Sequence, residues 1–121
     1  MKIFVTSDLH FGHNKPFIYE PRGFNNIQDH DRTIVENWNK VVSPEDIVYV
    51  LGDLMLNDNV NGAKLLHQLN GRLCIILGNH DTDTRIQIYN LSYNVDLIEY
   101  GLPVKINKQS FFLSHYPTIT D

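Results

Sequence analysis

A chain of 121 residues, 42% hydrophobic and 20% charged, holds one domain with one core and excludes a disordered segment or a collagen-like repeat. Ten Lys and Arg against fourteen Asp and Glu leave a net charge of -4, which argues against non-specific binding to a nucleic-acid backbone.

In chain order, Ile3-Phe4-Val5 is a short apolar run that predicts a buried strand. It turns polar at Thr6-Ser7-Asp8, too soon for a signal-peptide core, and no run of about 18 apolar residues follows anywhere. The expected location is cytoplasmic. A loop containing Pro16, Pro21 and Gly23 comes next. Ile27, Ile34, Val35, Trp38, Val41 and Val42 then fall on one side of a helix, which Ser43-Pro44 stops. Ile47 to Leu51 is continuous and β-branched, a second buried strand. Ala63, Leu65, Leu66 and Leu69 predict a short helix with Asn70-Gly71 as a left-handed cap. Leu73 to Leu77 is the third strand. It contains the single cysteine, Cys74, which can form no internal disulfide, suits a reducing cytosol and reads as a small buried hydrophobe. A helix from about Asp83 to Tyr89 follows, with Asp83 as N-cap.

Strands joined by helical crossovers pair in parallel. After residue 93 the pattern changes: Leu97–Tyr100, Val104–Ile106 and Phe111–Ser114 are separated by Gly101-Leu102-Pro103 and Asn107-Lys108-Gln109. Such short linkers predict antiparallel hairpins. The expected fold class is α/β, a mixed β-sheet sandwich with flanking helices, in one domain over residues 1–121.

Ligands of parallel sheets gather at the carboxyl ends of the strands. Those ends deliver Asp8-Leu9-His10, Gly52-Asp53, Gly78-Asn79-His80-Asp81 and, after the last strand, Ser114-His115. Each piece alone has a plain explanation as a cap, a turn or a packed histidine. Their recurrence at equivalent ends does not. Alternate residues of an extended segment point the same way, so Asp8 and His10 are expected to share one ion. Gly78 permits a sharp turn before the polar trio. Carboxylate, imidazole and amide ligands without thiolate suit Mn, Fe, Ni, Zn or Mg. Five ligands exceed one open tetrahedral zinc, whereas two ions about 3.5–4 Å apart would use them all.

The succession Asp8-x-His10, Gly52-Asp53, Gly78-Asn79-His80-Asp81 and His115 resembles the calcineurin-like metallophosphoesterases. The surrounding stretches Ser7-Asp8-Leu9-His10-Phe11-Gly12-His13, Val50-Leu51-Gly52-Asp53 and Leu113-Ser114-His115-Tyr116-Pro117 are similar to the small bacterial and phage branch. The resemblance implies a pair of sheets with flanking helices. It also implies that Asp8 and His10 hold one metal ion, Asp53 bridges two, and Asn79 and His115 hold the second. His80 would stand near the leaving-group oxygen as proton donor, with Asp81 either orienting it or capping the next helix. The implied reaction is attack on phosphorus by a metal-bridging hydroxide, hydrolysing a phosphomonoester or phosphodiester.

The family's Gly-His-x-His segment after the position of His115 does not occur before Asp121, so three protein ligands per ion and weaker affinity are expected. The domain then reads as incomplete at its C-terminus, with an open sheet edge that a second copy could pair. His13 and Arg22 are candidate contacts to a substrate phosphate. Arg72, His30 and His67 read as surface residues, and Trp38, Tyr49 and Tyr89 as packing. The partner expected is a phosphate-ester small molecule or nucleotide. A non-catalytic binding module is the alternative, and a nuclease a third reading that the acidic balance disfavours.

Overall fold

The structure, a computed structural model, describes residues 1–116. Its elements run β1 (Ile3–Thr6), α1 (Pro16–Tyr19), α2 (Ile27–Val41), β2 (Ile47–Leu51), α3 (Asn59–Gln68), β3 (Arg72–Ile76), α4 (Asp83–Leu91), β4 (Val95–Glu99), β5 (Gly101–Ile106) and β6 (Gln109–Ser114). The first four strands form one parallel sheet in the order β1-β2-β3-β4, and β5 and β6 form a separate antiparallel pair.

Each of the three helical connections moves the chain across by one strand in the same direction, and right-handed crossovers of that kind place α2, α3 and α4 on one face. Burial follows. Val48, Val50, Leu73 and Ile75 are covered, in one core with Val35, Trp38, Leu65, Leu66, Leu69 and Tyr89. The alternate positions Ile3, Val5 and Leu97 are exposed, and Cys74 in their row is half-buried rather than enclosed.

Helix ends follow local chemistry. Asn26 caps α2, its side chain accepting from the Asp29 amide, and Asp58 caps α3 by the same contact to Asn61. The N-cap of α4 is Thr82, one residue earlier than expected. Helix α3 begins at Asn59, ahead of its apolar stripe, and its C-cap Leu69 is extended, with Gly71 supplying the positive φ two residues later.

The last third differs from expectation in one respect. Strand β4 pairs in parallel with β3, and only β5 and β6 form the antiparallel hairpin. Helix α4 returns the chain to the sheet edge before β4 starts, so β4 completes another crossover unit. Tyr100 then stands alone between β4 and β5, which leaves for the second sheet.

Candidate metal centre

Parallel strands aim their carboxyl ends at one rim, so the loops after β1, β2 and β3 lie side by side. Backbone bonds tie the first two together: the amides of Asp8, His10 and Phe11 donate to the carbonyls of Gly52, Asp53 and Leu54 at 3.1, 3.0 and 2.9 Å. Phe11, fully buried, anchors the stitched segment in the core. The segment is not extended. Asp8, His10 and Asp53 all have φ between 53° and 57°, a left-handed conformation uncommon for residues other than glycine. Asp8 and His10 therefore approach each other through left-handed turns and not through strand alternation, with His10 Nε2 3.5 Å from Asp8 Oδ1.

At the centre lies Asp53, almost fully buried. His80 Nδ1 stands 3.3 Å from each of its carboxylate oxygens, and His115 Nε2 is 3.8 Å from Oδ2. His115 arrives from the end of β6. Its Nδ1 lies 2.8 Å from the Leu51 carbonyl, which can only accept, so Nδ1 bears the proton and Nε2 keeps its lone pair. That lone pair faces Asn79 Oδ1 at 3.1 Å as well as Asp53. Asp8, Asp53 and His115 offer ligand atoms that all lie within 4.8 Å of one another. Carboxylate oxygens and an imidazole lone pair converging this closely are a hard-to-borderline ligand set, so the residues fit a divalent metal ion. All five expected ligands are gathered, His10 beside Asp8 and Asn79 beside His115.

Two glycines make the convergence possible. A Cβ on Gly52 would lie 2.3 Å from His115 Nδ1, at a φ of +84°. One on Gly78 would meet Asp53 Oδ1 at 3.0 Å and His115 Cδ2 at 3.1 Å.

The remaining predicted residues are distributed as follows. His13 stacks on His10 with ring centroids 5.2 Å apart and Nδ1 atoms 3.0 Å apart. Burial holds both imidazoles below their ordinary pKa. The Arg22 charge adds to this for His10, against the pull of Asp53 and Asp8, and His10 itself adds to it for His13. Neutral imidazole is the form that ligates. Arg22 is engaged by the protein: its guanidinium donates to the Asp8 and Leu9 carbonyls and faces His30 Nε2 at 2.9 Å. Asp81 accepts from the Gly78 amide at 2.7 Å and from the Tyr89 hydroxyl at 2.8 Å, so it braces the third loop from within.

Three residues have a structural role that the sequence reading lacked. His30, expected on the surface, is completely buried, because its ring lies between Arg22 and Asp31 and edge-on to Phe24. Tyr89 is buried as expected but also holds Asp81 by its hydroxyl. Arg85, unremarked in the sequence, is buried with its guanidinium on Asn59 Oδ1 and the His80 carbonyl. Its position three residues after the Thr82 cap, facing inward on α4, was the available signal. Surface placement holds for His67, while Arg72 is half-exposed and paired with Asp96. Pro117, part of the last motif, lies outside the described residues.

No helix among the described residues is long and apolar enough to cross a membrane. A solved structure of a protein of unknown function from Aquifex aeolicus is similar over 97% of this chain and 62% of its own, with a TM-score of 0.73 and 28% identity. An uncharacterized protein of Methanocaldococcus jannaschii is 45% identical over 82 residues, covering 66% of this chain and 47% of that protein. The Gene 66 protein of Mycobacterium phage D29 is 30% identical over 133 residues, covering 98% of this chain and 65% of the phage protein. The chain thus spans between about half and two thirds of the length of these relatives, and the phage similarity agrees with the small phage and bacterial branch. A family profile described as calcineurin-like phosphoesterase matches residues 1–119, and the chain belongs to that family, whose members depend on divalent metal ions.

Proposed function

We propose that this protein is a metal-dependent phosphoesterase that hydrolyses a phosphomonoester or phosphodiester at a dinuclear centre on the carboxyl rim of the parallel sheet. The observation that carries this reading is the convergence of ligand atoms of Asp8, Asp53 and His115 within 4.8 Å of one another. Asp8 and His10 would hold one ion, Asn79 and His115 the other, and Asp53 would serve both. Divalent ions held there would acidify water and offset the charge that develops on the phosphoryl oxygens.

The chain's own groups do the rest. Leu51 fixes the His115 tautomer, so that Nε2 is the nitrogen presented as a ligand. His80 is half-exposed above Asp53, where its imidazole can deliver a proton to a departing alkoxide. His13, stacked on His10, borders the same rim and offers a contact to the ester's phosphate. Arg22 is committed to backbone carbonyls, so it supports the loop instead of the substrate. A small phosphate ester or nucleotide in the cytoplasm is the substrate class that an acidic chain of this size suits.

The test is turnover of bis(p-nitrophenyl) phosphate and p-nitrophenyl phosphate with Mn2+, Ni2+, Zn2+ or Mg2+. Metal-dependent release of nitrophenolate that falls at least about 100-fold in Asp53→Asn is expected, because one carboxylate organises both ions. Absence of turnover with every metal, or equal turnover by the variant, would contradict the reading.

A further inference from the structure

The completely buried His30 has no place in the chemistry just described, yet it sits in a continuous polar chain. Asp31 Oδ1 lies 2.8 Å from His30 Nδ1, and His30 Nε2 lies 2.9 Å from Arg22 NH1. A carboxylate on one side and a guanidinium on the other leave one arrangement: Nδ1–H donates to Asp31, and Nε2 accepts from Arg22. Arg22 then donates onward to the carbonyls of Leu9 at 3.2 Å and Asp8 at 3.0 Å. The second Asp31 oxygen accepts from the Gly12 amide at 3.0 Å. The relay therefore grips the segment from Asp8 to Gly12 at both ends.

This segment needs such support. Asp8 and His10 are both held in the left-handed region, and a strained backbone persists only when its surroundings over-determine it. The stitches to Gly52, Asp53 and Leu54 fix its inner edge through amides. Only the Arg22 fork reaches the Asp8 and Leu9 carbonyls among the contacts of the described side chains. The acceptor for that fork is placed by helix α2, whose first two turns carry His30 and Asp31, both essentially inaccessible to solvent (0% and 2% exposed).

We infer that Asp31, His30 and Arg22 act together as positioning residues that hold Asp8 and His10 in ligating geometry. This deepens the metal-dependent reading above and rests on it for its functional consequence, though not for its structural one.

The experiment measures amide hydrogen exchange and Mn2+ affinity for the wild-type chain, Arg22→Ala, His30→Leu, the double variant, and His30→Gln, which retains an acceptor for Arg22. Exchange at His10, Phe11 and Gly12 should accelerate by about ten-fold or more in Arg22→Ala and His30→Leu, with the β2 and β3 amides unchanged. The double variant should be no faster than the more affected single variant, because both break the same chain. His30→Gln should return toward the wild-type rate. Mn2+ affinity should fall about 10- to 100-fold in the same variants, as for removal of a partner that orients a ligand. Arg22 lies in an exposed loop, so its variant reports even where His30→Leu fails to fold. Unchanged exchange at residues 10–12 in Arg22→Ala, or an equal rise throughout the sheet, would overturn the inference. A wild-type chain that binds no Mn2+ would instead sink the metal-dependent reading, leaving the exchange pattern to decide the relay.

Discussion

The Tyr89 hydroxyl donates to Asp81 Oδ1 at 2.8 Å, and the other oxygen of Asp81 accepts from the Gly78 amide. A side chain from the last turn of α4 thereby holds the loop that presents Asn79 and His80. Burial, with the nearby Asp81 charge second, raises the phenol well above its ordinary pKa, so it remains a donor throughout the accessible pH range. Tyr89→Phe keeps the packing and removes the donor. It should lower stability by about 1–3 kcal/mol in urea unfolding, because Asp81 Oδ1 loses its protein partner. Metal affinity should fall with it, since the Asn79 loop loosens.

Gly52→Ala tests the close approach of His115. A side chain there meets both a left-handed backbone and the imidazole 2.3 Å away. Gly23 provides the control, with a φ of +91° and nothing within 4 Å of an added Cβ. Gly23→Ala should cost only the conformational strain, about 1 kcal/mol in urea unfolding. Gly52→Ala should cost more than that and should also weaken Mn2+ binding at least about ten-fold in calorimetry, because His115 must move.

Acid should destabilise the metal-free chain in a defined window. Burial depresses the pKa of His10 and His13 in the folded state below the 6.5 of an exposed imidazole. Between the folded and unfolded values the unfolded chain binds more protons, so stability rises with pH. The contribution is fully present above pH 6.5 and is lost as pH falls through the lowered values. The urea midpoint measured from pH 7.5 downward should therefore decline below 6.5, and His13→Asn should flatten that decline.

How far the sequence revealed all this depends on the range of each interaction. The rim residues were legible because a strand followed at once by Asp, Gly-Asp or Gly-Asn-His is a local signal, and parallel strands bring their ends together by topology alone. Their backbone geometry was not. Asp8 and His10 look like alternate residues of an extended segment, but the amide bonds to Gly52 and Asp53 pull the chain into left-handed turns, and those bonds join residues more than 40 apart. His30 was misread for a related reason. Flanked by Asp29, Asp31 and Arg32 it resembles a solvated helix face, and only the return of Arg22 across the helix start converts it into a buried relay. The antiparallel expectation for β4 failed because the short Gly101-Leu102-Pro103 stretch suggests a hairpin, whereas the pairing is decided by the crossover through α4.

The central claim is that Asp8, Asp53 and His115 converge on metal, and anomalous diffraction from crystals soaked in Mn2+ tests it most directly. An anomalous peak within coordinating distance of Asp53 and His115, lost in Asp53→Asn crystals, is the predicted result. Full soaking with no peak at this rim, or a peak that persists unchanged in Asp53→Asn, would contradict it.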